Sequence, residues 1–171
     1  MDTFFEQIVP IGIDTKNMLK IIGIWILALA LSIAVFIFLV GFLGLIVFVL
    51  MAGVIYGAYK LSAMLYVEYE YIVTNGTLDI DKIVAKSSRK RMASFEISEI
   101  DVIEKFNPNA QITGFSQVII ACNPNDPEAY KMVVVRQGKG KMMIVFAPNK
   151  KLKSAIVKSL PRFVANSAFK D

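Results

Sequence analysis

The chain has 171 residues, a net charge of +5, a single cysteine and no histidine. Without histidine it has no His-based catalytic triad, no imidazole metal ligand and no histidine pH switch. Cys122 has no partner within the chain, which suits a reducing compartment.

Residues 1–18 form an N-terminal leader. It holds Phe4, Phe5, Ile8, Val9, Ile11 and Ile13, broken by Pro10. Such a segment can lie on a membrane surface. It can equally pack as an apolar flap on a folded domain, and its residues fit both readings.

From Ile21 to Tyr59 the chain carries no Asp, Glu, Lys, Arg, Asn or Gln. This run is about twice the ~20 residues that cross a bilayer as helix. One helix of that length overshoots the hydrocarbon by more than tilt absorbs. Two helices fit if the chain turns at Gly41-Phe42-Leu43-Gly44, where glycine permits the special backbone angles. The pattern predicts a transmembrane hairpin within 19–65, with helices over 19–40 and 44–65. Lys16, Lys20 and Lys60 flank the run at one end, and the turn end carries no charge. The positive-inside rule then puts both termini in the cytoplasm of a multi-pass cell-membrane protein. Trp25, Tyr56 and Tyr59 would share an interfacial belt on that side. A cleaved signal peptide fits poorly. Its n-region would hold Asp2, Glu6 and Asp14, and the apolar run continues past the Ala28-Leu29-Ala30 cleavage candidate. Ala28/Ser32, Ala30/Ala34 and Gly53/Gly57 are small residues at spacing four. They suit close contact within the hairpin or, as the alternative, a dimer seam.

After the hairpin the period changes to two. Residues 66–74 alternate and are rich in aromatic and β-branched types, Asn75-Gly76 follows, and residues 77–85 alternate again. Asn-Gly between two such runs signals a type I′ hairpin. Its register gives a core face of Tyr69, Tyr71, Val73, Leu78 and Ile80. The opposite face carries Glu68, Glu70, Asp79 and Asp81, a set of like charges that needs neutralising. Lys86, Arg89, Lys90 and Arg91 stand in the basic stretch that follows, read as a polar loop. They either neutralise the acidic face or form a contact surface for anionic lipid headgroups or a protein partner. Further strands are expected over 90–97, 100–106, 115–122, 130–136 and 141–147. The last two join through Gln137-Gly138-Lys139-Gly140, which lacks the Ser/Thr and the following helix of a phosphate loop. Asn149 can cap a final amphipathic helix, about 149–164, with Leu152, Ala155, Ile156 and Leu160 on its apolar face.

Seven strands and a terminal helix, with Tyr71-x-x-Thr74, Leu78-x-Ile80, the Lys86-to-Arg91 stretch and Ile97-Ser98-Glu99-Ile100, resemble the bacterial form of the pleckstrin-homology-like domain. The chain looks similar to small, uncharacterised clostridia-like membrane proteins that carry such a domain behind a two-helix hairpin. The resemblance implies a seven-stranded barrel capped by the C-terminal helix over 66–171. It also implies a binding or scaffolding module with no known reaction. Eukaryotic members that bind phosphoinositides use basic residues in the first strand–strand loop; here that loop, Asn75-Gly76, has none.

No nucleophile–base pairing is readable at any spacing. The expectation is a membrane-anchored, non-enzymatic interaction module without cofactor, metal or nucleic-acid partner. The alternative is an accessory subunit that docks into a larger membrane complex through its hairpin.

Overall fold

The structure is a computed structural model that describes residues 4–136, 138 and 140–170. Asp2, Gln137 and Lys139, named above, lie outside the described residues. The chain divides into two units, a helical one over 12–67 with 84–87 and a β-rich one over 1–11, 68–83 and 88–171.

In the helical unit, α1 spans Thr15–Leu43 and α2 spans Ile46–Ala63. Gly44 ends α1 at φ 51°, with its N–H donating to the Val40 carbonyl at 3.1 Å. That backbone conformation is one L side chains rarely adopt, so glycine sets the turn. The turn is therefore shorter than the expected Gly41–Gly44, and Gly41 stays helical. α1 also begins ahead of residue 19, because Lys16, Asn17 and Lys20 are good enough helix residues outside an apolar phase. Ala28 and Ser32 of α1 and Val47, Ala58 and Ser62 of α2 are buried. The small-residue seam of α2 is thus Ala58/Ser62 and not the expected Gly53/Gly57, where an added Cβ would meet nothing within 4 Å. Near the turn, Phe36 and Phe48 meet with ring centroids 6.3 Å apart.

In the β unit the leader is a strand. β1, Phe4–Pro10, pairs antiparallel with β2, Val67–Thr74, from Phe4 opposite Thr74 to Pro10 opposite Glu68. The flap reading of residues 1–18 is the one this geometry matches, and Pro10 ends an edge strand, where its missing N–H costs no ladder bond. β3 is Thr77–Val84 and β4 is Ser88–Glu96, and the first sheet runs β1-β2-β3-β4. Asn75 (φ 48°) and Gly76 (φ 89°) have the positive φ values of the type I′ turn. Tyr69, Tyr71, Val73, Leu78 and Ile80 are buried, as the alternation requires.

Two expectations fail beyond Val84. The basic stretch is not a loop: β4 already starts at Ser88, so Arg89, Lys90 and Arg91 are strand residues. The connection is a tight turn at Ala85 and Lys86, closed by the Ser87 N–H on the Val84 carbonyl at 3.2 Å. Both turn residues have positive φ (54° and 57°) without being Gly or Asn, so no turn signal marks them. Nor is Asn75-Gly76 the first strand–strand loop, since β1 precedes it and the helical hairpin joins β1 to β2.

The second sheet contains β5 (Ile100–Lys105), β6 (Gln117–Ile120), β7 (Tyr130–Arg136) and β8 (Gly140–Phe146), in the order β5-β7-β8-β6. β6 runs parallel to β8, from Gln117 opposite Met142 to Ile120 opposite Val145. The described residues thus form eight strands in two open four-stranded sheets, in place of a closed seven-stranded barrel. The leader supplies the additional strand.

The terminal helix divides in two. α3, Lys150–Ser159, starts at Asn149, whose side chain accepts from the Leu152 N–H at 2.9 Å. Leu160 is extended (ψ 149°) because Pro161 follows, and α4 covers only Arg162–Ala165. Leu152, Ala155 and Ile156 are buried.

Within the core, the Tyr71 hydroxyl donates to the Ala121 carbonyl at 2.6 Å and accepts from the Ala147 N–H at 3.3 Å. Its ring meets Phe146 edge-on at 5.9 Å. Gln7 of β1 clasps the end of β8. Its amide donates to the Ala147 carbonyl at 3.0 Å and accepts from the Asn149 N–H at 2.8 Å.

Candidate contact surfaces

The acidic face of the first sheet meets arginines from the neighbouring strand. Glu70 on β2 is fully buried, and Asp79 and Asp81 stand on β3. From β4, Arg89 Nη1 reaches Glu70 Oε2 at 2.7 Å, and Arg91 reaches Asp79 Oδ2 at 2.8 Å. Arg91 also hydrogen-bonds Asp81 through Nε. Two of the four basic residues singled out from sequence are therefore neutralising a charged face of the fold. Lys86 and Lys90 have no ion pair among the described residues.

The pairing is incomplete at Glu70. Its Oε1 is buried with no hydrogen-bond donor. β1 brings Glu6 diagonally beside it, since Ile8 stands opposite Glu70 and Glu6 opposite Ile72. Burial pushes the Glu70 carboxyl above the ordinary carboxylate range, and hydrogen bonding with Glu6 pushes the same way, against the pull of Arg89. Among the described residues no set of acidic or thiol groups could hold a metal ion.

A second feature of the β unit is an open cleft of about 720 Å³, lined by Gln7, Pro10, Tyr130, Asn149, Lys153 and Phe169 among others. Lys153 Nζ is bound to Glu128 Oε2 at 2.6 Å and to the Tyr130 hydroxyl at 3.2 Å, and stands 4.3 Å from the Tyr130 ring centroid. Burial alone would lower the pKa of Lys153, but these two hydrogen bonds outweigh it and raise the pKa. The cation is thus held by the fold's own groups. Cys122 is buried, and burial pushes its thiol up to about 12, so it is not a thiolate nucleophile at neutral pH.

The helical unit holds a cavity of about 390 Å³. Ile21, Trp25, Tyr59, Ser62, Tyr66 and Lys86 are in its wall. Here the Ala85 N–H donates to the Tyr66 carbonyl at 3.0 Å, which fixes the strained Ala85-Lys86 turn against the exit of α2. Sequence reasoning placed Trp25 and Lys86 separately and missed this meeting. The missing signal was the turn itself, because Ala-Lys is an unusual pair for positive φ.

Two sheets followed by short C-terminal helices, fused to a hairpin of apolar helices, define a β-domain with a helical extension inserted between its first two strands. The model of the family described as bacterial PH-like domain (DUF6106) matches residues 1–166, and the chain belongs to that family. The match takes in β1 and both long helices. No curated protein and no solved structure matches the chain.

Proposed function

We propose that the chain is a membrane-anchored, non-enzymatic interaction module. In this reading α1 and α2 cross the cell membrane, and the PH-like domain, with both termini, faces the cytoplasm. The observation that carries it is the bareness of the two helices. Their most apolar windows have mean hydropathies of 3.0 and 1.7, yet only 11% and 17% of those windows is buried. A core helix of a water-soluble protein buries such a surface; here bilayer hydrocarbon is the natural solvent for it. PH-like domains are usually binding modules and not enzymes, and the fold by itself fixes no reaction.

The ion pairs of Arg89 and Arg91 narrow the contact surface to Lys86 and Lys90. Anchoring makes a weak surface sufficient, because a domain held at the bilayer already meets its partner at high effective concentration. Affinity capture of the full chain from its native membranes, beside Lys86→Glu/Lys90→Glu, tests this. A partner captured by the wild type and lost from the variant supports the module. A stoichiometric membrane protein retained by both favours the accessory subunit. Recovery of the chain in the soluble fraction rejects both.

A further inference from the structure

We infer that the cavity at the base of the helical hairpin is a binding site for the phosphate headgroup of an anionic phospholipid. The inference rests on the membrane reading above and assigns it a ligand. Three features of the cavity point the same way.

The first is its wall. Trp25, Tyr59 and Tyr66 are partly exposed aromatic residues, and Trp and Tyr settle at the headgroup level of a bilayer. Ile21 continues the wall with an apolar side chain. An occupant must therefore be amphiphilic, with an apolar part along the helices and a polar part at their end.

The second is charge. Lys86 is in the cavity wall, its side chain ends in an ammonium with three donors, and it has no ion pair among the described residues. The helical unit holds four lysines (Lys16, Lys20, Lys60 and Lys86) against one acid, Asp14. A headgroup with a net negative charge completes this set. Aromatic walls can also attract a quaternary ammonium, but a choline group would bring a second cation beside Lys86.

The third is an unmet hydrogen bond. Ser62 is 6% exposed and its hydroxyl has no partner. A serine in a helix ordinarily bonds the carbonyl four residues back, and Ser62 does not. A turn about χ1 would offer the hydroxyl to a phosphate or ester oxygen in the cavity. In the turn that carries Lys86, two consecutive residues that are not glycine hold positive φ, a sterically unfavourable conformation for each. The hydrogen bond from the Ala85 N–H to the Tyr66 carbonyl holds this turn at the cavity in spite of the strain.

Trp25 is the only tryptophan of the chain and stands in the cavity wall, so it reports occupancy. The full chain is placed in nanodiscs of unbrominated phosphatidylcholine that contain increasing fractions of brominated phosphatidylglycerol or brominated phosphatidylcholine. The wild type should be quenched at lower mole fractions of phosphatidylglycerol. Lys86→Gln should lose about fivefold of that preference, the effect of removing one basic residue at an anionic surface. It should keep its melting temperature, since glutamine at φ 57° is no more strained than lysine. Lys151→Gln, at an exposed position of α3 that is not in the cavity wall, should keep the preference. Equal quenching by the two lipids in the wild type, or an unchanged preference in Lys86→Gln, overturns the site while leaving the anchor standing. Quenching by neither lipid overturns site and anchor together. Soluble glycerol phosphate that abolishes the preference overturns the lipid in favour of a free phosphate ester.

Discussion

Glu70 is the residue on which the charge arrangement of the first sheet turns. Like-charge repulsion was legible in the alternation of β2 and β3, and so were the arginines that answer it. The part played by Glu6 was not, because nothing local brings residue 6 beside residue 70. With its carboxyl raised above the ordinary range, Glu70 binds a proton more tightly folded than unfolded. Its contribution to stability is therefore complete below the ordinary carboxylate pKa. It is lost as pH rises through the folded value. Glu70→Gln keeps an acceptor for Arg89 and offers Glu6 a permanent donor. Melts of the full chain across pH should show the variant more stable than wild type at pH 8, with the gap closing toward pH 4. Parallel curves would mean that Glu70 binds its proton no more tightly in the folded chain than in the unfolded one.

At the scale of elements, legibility followed how local the cause is. The β2–β3 hairpin was readable because Asn75-Gly76 and period-two alternation both lie within it. The start of α3 was readable from Asn149, and its end followed from Pro161, whose effect on Leu160 the apolar spacing alone had overrun. β1 was not readable as a strand, because its partner residues lie 58 to 70 positions away and its apolar residues fall on both faces. The two-sheet arrangement with a parallel β6–β8 pair is likewise non-local. β1 is nonetheless integral, since Gln7 satisfies two backbone groups at the β8–α3 junction. Gln7→Ala should cost about 1–2 kcal/mol, from two hydrogen bonds of ordinary net worth. Chemical denaturation of the full chain in a fixed detergent measures it. No change would mean that water replaces the clasp without loss. A 66–171 fragment lacks this strand and is not the complete β unit.

For the whole molecule, the apolar run foretold two helices, and α1 and α2 have the length and bareness it required. The charge arrangement of the basic stretch was half legible. Composition found the basic stretch, but only tertiary structure separates Arg89 and Arg91, engaged with carboxylates, from Lys86 and Lys90. The central claim is that the hairpin crosses a bilayer with the PH-like domain on the cytoplasmic side. It is tested most directly by single-cysteine accessibility in intact cells, on a Cys122→Ala background. Phe42→Cys probes the end of α1 beside the turn, and Ser88→Cys probes the start of β4; both positions are exposed. The account predicts that an impermeant maleimide labels Phe42→Cys in intact cells and labels Ser88→Cys only after permeabilisation. Labelling of Ser88→Cys in intact cells, or of neither position until the membrane is broken, would contradict it.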